Sequence, residues 1–198
     1  VKIDAGADVA AECIRGAHVG FMFAPMFHPA MKYVQPIRKA LGFRTVFNIL
    51  GPLANPANVQ RQVMGVADEN LMEIVAEALK LLGSKYAMVV HSSGLDEIST
   101  AAVTKIIELK NGKITRWELN PKDFGFACAD VEQLKVSDAK TSAKVLREIT
   151  GGKEKGPRKD IVILNAAAAI IAGDLADNFE SAIKMAQDSI NSGKAAAC

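Results

Sequence analysis

Two adjacent carboxylates, Asp96 and Glu97, lie a few residues beyond a short apolar run at Tyr86–His91. Neighbouring carboxylates on a loop can share one cation, and magnesium is commonly held by one or two carboxylates together with substrate phosphates. The same pair could instead stabilise the exposed N–H groups at the start of a helix. Taken locally, the residues favour the helix start and leave the magnesium site open.

An arginine and a histidine form a second set of groups with binding chemistry. Arg38 lies beside the apolar positions Ile37 and Leu41, and a guanidinium there could bind a carboxylate through two parallel hydrogen bonds. The local pattern favours a surface arginine whose aliphatic stem covers apolar side chains. His28 precedes Pro29, which suits the first turn of a helix, so capping or packing is the simpler role for its imidazole.

The segment RTVFNILGPLANPAN, residues 44–58, has no clean helical or strand period and contains two turn signals within NILGPLANP, residues 48–56. We therefore expect a long ordered loop. Gly51 would let a flat ligand lie close to the backbone, because glycine has no Cβ. A purely structural turn is the alternative.

The elements around these residues alternate between helix and strand, which predicts an α/β domain. Strands are expected at Gln62–Ala67 and Tyr86–His91, and an Asn-Gly turn at 111–112 predicts an antiparallel hairpin inserted into a mostly parallel sheet. Ligands of such sheets bind beyond the carboxyl ends of strands, which favours a site at Asp96 and Glu97. The flanking helices are expected at Ala5–Arg15, from Pro29 to Leu41, and at Asn70–Leu82, Ser142–Ile149, Ile161–Ile171 and Asn178–Ser192.

Composition excludes several classes of function. The chain has 198 residues, and 49% of them are apolar, which is enough to fill a sizeable core. Its 24 basic and 22 acidic side chains nearly balance, so the charge gives no indication of binding to nucleic acid or to an acidic membrane. The longest apolar run, Ile161–Gly173, is too short to span a bilayer. Three scattered cysteines predict neither a disulfide framework nor a zinc site, and a reducing cytoplasm is the simplest setting. The sequence contains no phosphate-loop motif and no dinucleotide-binding motif. It also contains no nucleophile-elbow motif, which argues against covalent catalysis by a serine.

Several blocks of the sequence are more informative together than apart. They are GFMFAPMFHPAMKYVQPIRKALGFRTVFNILGPLANPAN (20–58), QRQVMGV (60–66), HSSGLDEIS (91–99), LNPKDFG (119–125), DIVILNAAAAI (160–170) and INSGKA (190–195). In order and spacing they resemble the anthranilate phosphoribosyltransferases over essentially the whole chain. One departure is VSDAKTSA (136–143), where the family pattern has a glycine pair before the Asp-Ala and an Asn shortly after.

The resemblance implies a pentosyltransferase of the glycosyltransferase class, with a phosphoribosyltransferase-like α/β domain. It would transfer the phosphoribosyl group of phosphoribosyl diphosphate to the amine of anthranilate, releasing diphosphate, in tryptophan biosynthesis. The amine is itself the nucleophile, so no catalytic Cys or Ser is needed. By motif, Asp96 and Glu97 bind Mg2+ on the diphosphate and Arg38 holds the anthranilate carboxylate. The anthranilate path is implied at Ala24, His28, Met31, Gly51 and Pro52.

Blocks that the family carries further upstream are absent, among them a G-T-G-G-D phosphate loop. The resemblance therefore implies that residues 1–198 are the carboxyl-terminal α/β part of a longer, homodimeric enzyme. Helices at 29–45 are expected to pack with a preceding helical domain. We expect the chain alone to expose their apolar stripe, to aggregate or pair, to be inactive, and to hold magnesium weakly or not at all.

Two other functions share this fold. A pyrimidine nucleoside phosphorylase also cleaves at ribose C1, but it requires base-binding residues where Arg38 and the Gly51-Pro52 loop stand. A non-enzymatic nucleic-acid-binding relative would need a basic groove, which a net charge of +2 with interspersed acids does not favour.

Overall fold

The computed structural model describes residues 2–29, 33, 40 and 53–198, and the chain divides into two compact units. The first lies within residues 1–58 and includes Cys198, and the second comprises residues 59–197. In the first unit, α1 (Ala7–Ala17) confirms the helix predicted near the start of the chain, and a single turn, α2 (Ala24–Phe27), follows it. The predicted helices of 29–45 and most of the 48–56 loop lie outside the described residues.

The second unit is built on a four-stranded sheet in the order β1-β2-β3-β4. These strands are β1 (Arg61–Gly65), β2 (Tyr86–His91), β3 (Thr104–Lys110) and β4 (Lys113–Leu119). β1 and β2 are parallel, with Gly65 opposite Val90, whereas β2–β3 and β3–β4 are antiparallel. The α/β class and the hairpin are confirmed. The sheet is mixed and not mostly parallel in the described part of the chain, because the hairpin pairs with β2 and extends the same sheet.

Helices cover both faces of this sheet, and β2 is buried along its whole length for that reason. Met88 and Val90 of β2 belong to the main apolar cluster, together with α6 (Pro157–Ala172) and α7 (Phe179–Asn191). The alternate residues of β2 point to the opposite face, where α3 (Met72–Leu81) contacts β2 and β3. The remaining α-helices of this unit are α4 (Val131–Leu134), α5 (Ala139–Thr150) and α8 (Lys194–Ala197), and two short 3-10 helices lie at Glu69–Leu71 and Pro121–Phe124.

The buried face of α3 differs from the one that its sequence pattern predicts. The apolar pattern places six residues on the packed side: Leu71, Ile74, Val75, Ala78, Leu81 and Leu82. Val75 is buried as predicted, but Ile74, Leu81 and Leu82 are 59%, 86% and 62% exposed. The other buried residues of the helix are Met72, Ala76 and Leu79. This helix carries apolar residues on almost every side, so its periodicity does not select a single face.

The start of α7 is fixed by an asparagine cap that offers a stability test. The Asn178 side chain accepts hydrogen bonds from the Ser181 N–H and hydroxyl, both at 2.9 Å. We expect Asn178→Ala to lower the free energy of unfolding by about 1 kcal/mol, because the cap satisfies an otherwise unpaired N–H. Urea unfolding followed by Trp117 fluorescence measures this, since the Trp117 ring lies 5.8 Å from that of Phe179 at the start of α7.

A matched control lies at the other end of the same helix. The Asn191 side chain is exposed and accepts a long hydrogen bond of 3.5 Å from Lys159 Nζ. Asn191→Ala is therefore expected to change the free energy of unfolding by less than about 0.5 kcal/mol. Equal decreases in the free energy of unfolding in the two variants would show that the Asn178 cap does not stabilise the fold more than an exposed asparagine does.

Candidate functional site

A tight reversal at the carboxyl end of β2 positions the two candidate carboxylates. Ser92 and Leu95 exchange two backbone hydrogen bonds of 3.0 Å. The two residues between them, Ser93 and Gly94, have φ angles of 49° and 88°, the left-handed conformation that two-residue hairpin turns require. The chain therefore turns back at once, and Asp96 and Glu97 follow with exposed side chains.

The helix-start interpretation of this pair is wrong. Residues 96–103 form bends and extended backbone and no helix. Buried hydroxyls satisfy the backbone instead: Thr104 Oγ1 accepts from the Ser99 N–H at 3.2 Å, and Ser99 Oγ accepts from the Ala101 N–H at 2.9 Å. The carboxylates thus lie on a loop that is fixed by side chains, not at a helix dipole.

His91 ties the reversal to the neighbouring strand. Its ring is buried, with Nδ1 2.8 Å from the Val66 carbonyl oxygen and Nε2 3.3 Å from the Gly94 backbone nitrogen. A carbonyl can only accept and an N–H can only donate, so Nδ1 carries the proton and Nε2 accepts from Gly94. The neutral ring therefore links the end of β1 to the turn that precedes Asp96.

The residue after the pair, Ile98, is anchored from the opposite direction. Its side chain is fully buried, and its N–H donates to Asn165 Oδ1 at 3.0 Å. Asn165 Nδ2 in turn donates to the Ile98 carbonyl at 2.7 Å and to the Ile161 carbonyl at 2.9 Å. One amide in the middle of α6 thus pairs with both backbone groups of the residue that follows Glu97.

Gly65, the last residue of β1, lies directly against the backbone of the carboxylate loop. A Cβ built on Gly65 would lie 1.5 Å from the Asp96 carbonyl oxygen and 2.4 Å from its carbon. Because no other residue lacks a Cβ, this position admits only glycine while the loop keeps its place.

The charge pattern of the pair suits a cation. The Glu97 residue is exposed, but partial burial of its carboxyl group raises the pKa, and the negative charge of Asp96 raises that pKa further. Within residues 53–198, neither carboxylate has an ion pair or a hydrogen bond from a side chain. The part of the chain that the structure describes also contains no group of three His, Cys, Asp or Glu side chains arranged for a metal. Two unpaired carboxylates fit an ion that keeps waters and takes its other ligands from phosphates, as Mg2+ does.

The other predicted site residues are only partly described. Ala24 and His28 share one turn, since the His28 N–H donates to the Ala24 carbonyl at 2.9 Å. His28 ends α2 through its backbone, and its side chain is half-buried, whereas Ala24 is exposed. Arg38, Met31, Gly51 and Pro52 lie outside the described residues, so their roles stay predictions.

With this geometry in place, comparison with known proteins identifies the family. The model of the glycosyl transferase family, a/b domain, matches residues 1–196. The chain belongs to this family. In the described part of this glycosyl transferase domain, no helix has the length and apolar character needed to cross a membrane.

Two relatives of this domain illustrate what it is similar to. The anthranilate phosphoribosyltransferase of Methanocorpusculum labreanum is 46% identical over 195 residues, which is 98% of this chain and 57% of the relative. The crystal structure of the enzyme of that name from Thermus thermophilus superimposes with a TM-score of 0.92 at 36% identity, covering 100% of this chain and 58% of the other.

A yeast structure shows what one relative binds. The anthranilate phosphoribosyltransferase of Saccharomyces cerevisiae in complex with PRPP and Mg superimposes with a TM-score of 0.89 at 28% identity, covering 100% of this chain and 57% of the other. The same yeast enzyme has been solved in complex with 4-fluoroanthranilate. The chain therefore spans somewhat more than half the length of the proteins it matches.

Sequence reasoning missed three residues that hold the carboxylate loop, namely Gly65, His91 and Asn165. Asn165 had a usable signal, since it is the one polar residue in the run IVILNAAAAIIA, and a polar group in such a run usually has a specific partner. Gly65 and His91 had no comparable signal, because their contacts depend on how β1 and β2 align.

Proposed function

We propose that this glycosyl transferase domain is the carboxyl-terminal part of an enzyme that transfers the phosphoribosyl group of phosphoribosyl diphosphate (PRPP) to the amine of anthranilate. The observation that carries the proposal is the pair Asp96 and Glu97, which is exposed on a loop at the carboxyl end of β2 and has no ion-pair partner among the described residues. The name shared by the relatives supports the choice of substrate. The product would serve tryptophan biosynthesis, in the cytoplasm, in a homodimeric enzyme.

In this proposal Asp96 and Glu97 hold Mg2+ against the diphosphate of PRPP. When bound, the ion neutralises charge that gathers on the leaving diphosphate. The chain contributes carboxylates whose backbone is already anchored at Gly65 and Ile98, so little reorganisation is needed when the ligand arrives. The waters and phosphate oxygens that complete the ligand set come from solvent and substrate.

Anthranilate binding is assigned to the residues that the family motif implies. Arg38 binds the anthranilate carboxylate, and the path is lined at Ala24, His28, Met31, Gly51 and Pro52. The half-buried ring of His28 and the exposed Ala24 lie on one turn, a suitable wall for a small aromatic acid. Helices at 29–45 would pack with a preceding helical domain in the longer protein.

In the proposed reaction, the protein mainly holds the two substrates in the correct relative position. The neutral aromatic amine attacks C1 of the ribose, the C1–N bond forms, and the bond from C1 to the diphosphate oxygen breaks. The amine proton leaves to water or to the departing diphosphate. Positioning of the two substrates supplies much of the barrier reduction, because the amine of anthranilate is itself the nucleophile.

The proposal is tested in the full-length protein that contains this chain. We expect magnesium-dependent loss of anthranilate fluorescence when PRPP is present, and no loss with EDTA. Arg38→Ala should raise the KM for anthranilate about 10- to 100-fold, because a charge-assisted pair contributes about 1.5–3 kcal/mol. The KM for PRPP should stay within about twofold.

The matched control is Arg147→Ala, an exposed arginine on α5 whose side chain has no hydrogen bond in the described residues. It should leave both KM values unchanged. Absence of anthranilate turnover by the parent protein would reject the proposed reaction, and an unchanged anthranilate KM in Arg38→Ala would reject the role of Arg38. The 198-residue chain assayed alone is expected to be inactive.

A further inference from the structure

We propose that Asn165 is a positioning residue for the Asp96–Glu97 carboxylate pair, acting through the backbone of Ile98. This inference rests on the proposed function, since the pair is taken to hold the magnesium ion of PRPP. Asn165 lies on α6 and is separated by 67 residues from the backbone it binds.

The hydrogen bonds define the orientation of the Asn165 amide. Nδ2 lies 2.7 Å from the Ile98 carbonyl oxygen and 2.9 Å from the Ile161 carbonyl oxygen, so this atom must be the NH2 group. Oδ1 then faces the Ile98 N–H at 3.0 Å. The bond to Ile161, one turn back in the same helix, holds the side chain in the rotamer that reaches the loop.

The two backbone contacts lie on either side of the carboxylate pair. The Asp96 carbonyl packs against Gly65 on one flank, and the Ile98 backbone is paired with Asn165 on the other. Between them the side chains of Asp96 and Glu97 are exposed. An exposed acidic turn is ordinarily mobile, whereas here the backbone is immobilised at each end and only the two carboxylates remain free to take a ligand.

Asn165 could instead be purely structural, filling the hydrogen bonds of Ile98 without any effect on the ion. The two roles differ in what a substitution changes. A structural role predicts lower stability alone. A positioning role predicts a weaker response to Mg2+ while anthranilate binding, which uses other residues, is retained. Outer-shell partners of metal ligands typically change metal affinity about 10- to 100-fold.

The experiment uses Asn165→Ala and Asn165→Ser in the full-length protein. Serine keeps a polar, small side chain that cannot reach Ile98, so it guards against failure of the alanine variant to fold. Two quantities are measured: hydrogen exchange of the Ile98 amide, and the Mg2+ concentration that gives half-maximal turnover of anthranilate with PRPP. The matched control is Ile163→Ala, which removes a buried side chain from the same helix and keeps the Asn165 amide.

We expect both Asn165 variants to lose protection of the Ile98 amide and to need at least about tenfold more Mg2+, with the KM for anthranilate within about twofold. Ile163→Ala should lower Tm and leave the Mg2+ midpoint in place. An unchanged Mg2+ midpoint in Asn165→Ser, or an equal shift in Ile163→Ala, would overturn the inference. If the parent protein does not turn over anthranilate, the proposed function is rejected, whatever the role of Asn165. In that case, retained hydrogen-exchange protection of the Ile98 amide in Asn165→Ser would separately reject Asn165 as the residue that holds the Ile98 backbone.

Discussion

The double substitution Asp96→Asn with Glu97→Gln is expected to lower kcat/KM for PRPP at least about a hundredfold in the full-length protein. Both carboxylates lose the charge that would hold Mg2+, and a bound ion contributes several kcal/mol of charge stabilisation to such a displacement. The side chains keep their size and lie exposed, so the fold should be unaffected. Steady-state kinetics over a Mg2+ titration measures the effect, and thermal unfolding verifies the fold.

A control removes the same number of charges elsewhere. Glu180→Gln with Asp188→Asn changes two exposed acids on α7 and should leave kcat/KM within about twofold. If the two double variants behave alike, general charge and not a metal site explains the result. Single variants then separate the contributions of the two carboxylates.

Gly65→Ala is expected to produce the second large effect, although Gly65 has no chemistry of its own. The new methyl group would begin 1.5 Å from the Asp96 carbonyl oxygen, whereas ordinary contact starts at 3.4 Å. Either β1 or the carboxylate loop must retreat. We expect about a hundredfold loss of turnover, because displacement of a catalytic group by about 1 Å can cost that much, together with about 1–3 kcal/mol of overpacking strain.

The matched control for this substitution is Gly16→Ala. Gly16 lies in α1, a Cβ there meets no atom within 4 Å, and alanine is the better helix former by about 0.5–1 kcal/mol. Its turnover should equal that of the parent protein. If Gly65→Ala also retains full turnover and magnesium dependence, the contact between β1 and the loop has no part in the site.

Local signals in the sequence were sufficient for the elements that place this site. The run Tyr86–His91 predicted β2 with its observed bounds, because a short, mostly apolar segment with β-branched residues is typical of a buried strand. The hairpin followed from Asn111-Gly112, whose φ angles of 50° and 78° are those that a two-residue turn demands. In each case one or two neighbouring residues carry the information.

The features that fix the carboxylates were beyond local reasoning. The helix-start interpretation of Asp96 and Glu97 was wrong, because the hydroxyls of Ser99 and Thr104 accept backbone N–H hydrogen bonds in a loop where a helix was expected. The anchors at Gly65 and Asn165 exist only after β1 and α6 pack around the end of β2. A pattern confined to neighbouring residues cannot report a hydrogen bond that joins positions 67 apart.

The strand order also bears on how the chain meets other polypeptides. β1 lies at one margin of the sheet and pairs only with β2 among the described residues. The outward N–H and C=O groups of such a margin can accept a further strand, from the same polypeptide or from another molecule. Self-association of the isolated 198-residue chain should therefore increase with its concentration. A longer chain that supplies its own neighbouring strand would close this margin and improve solubility.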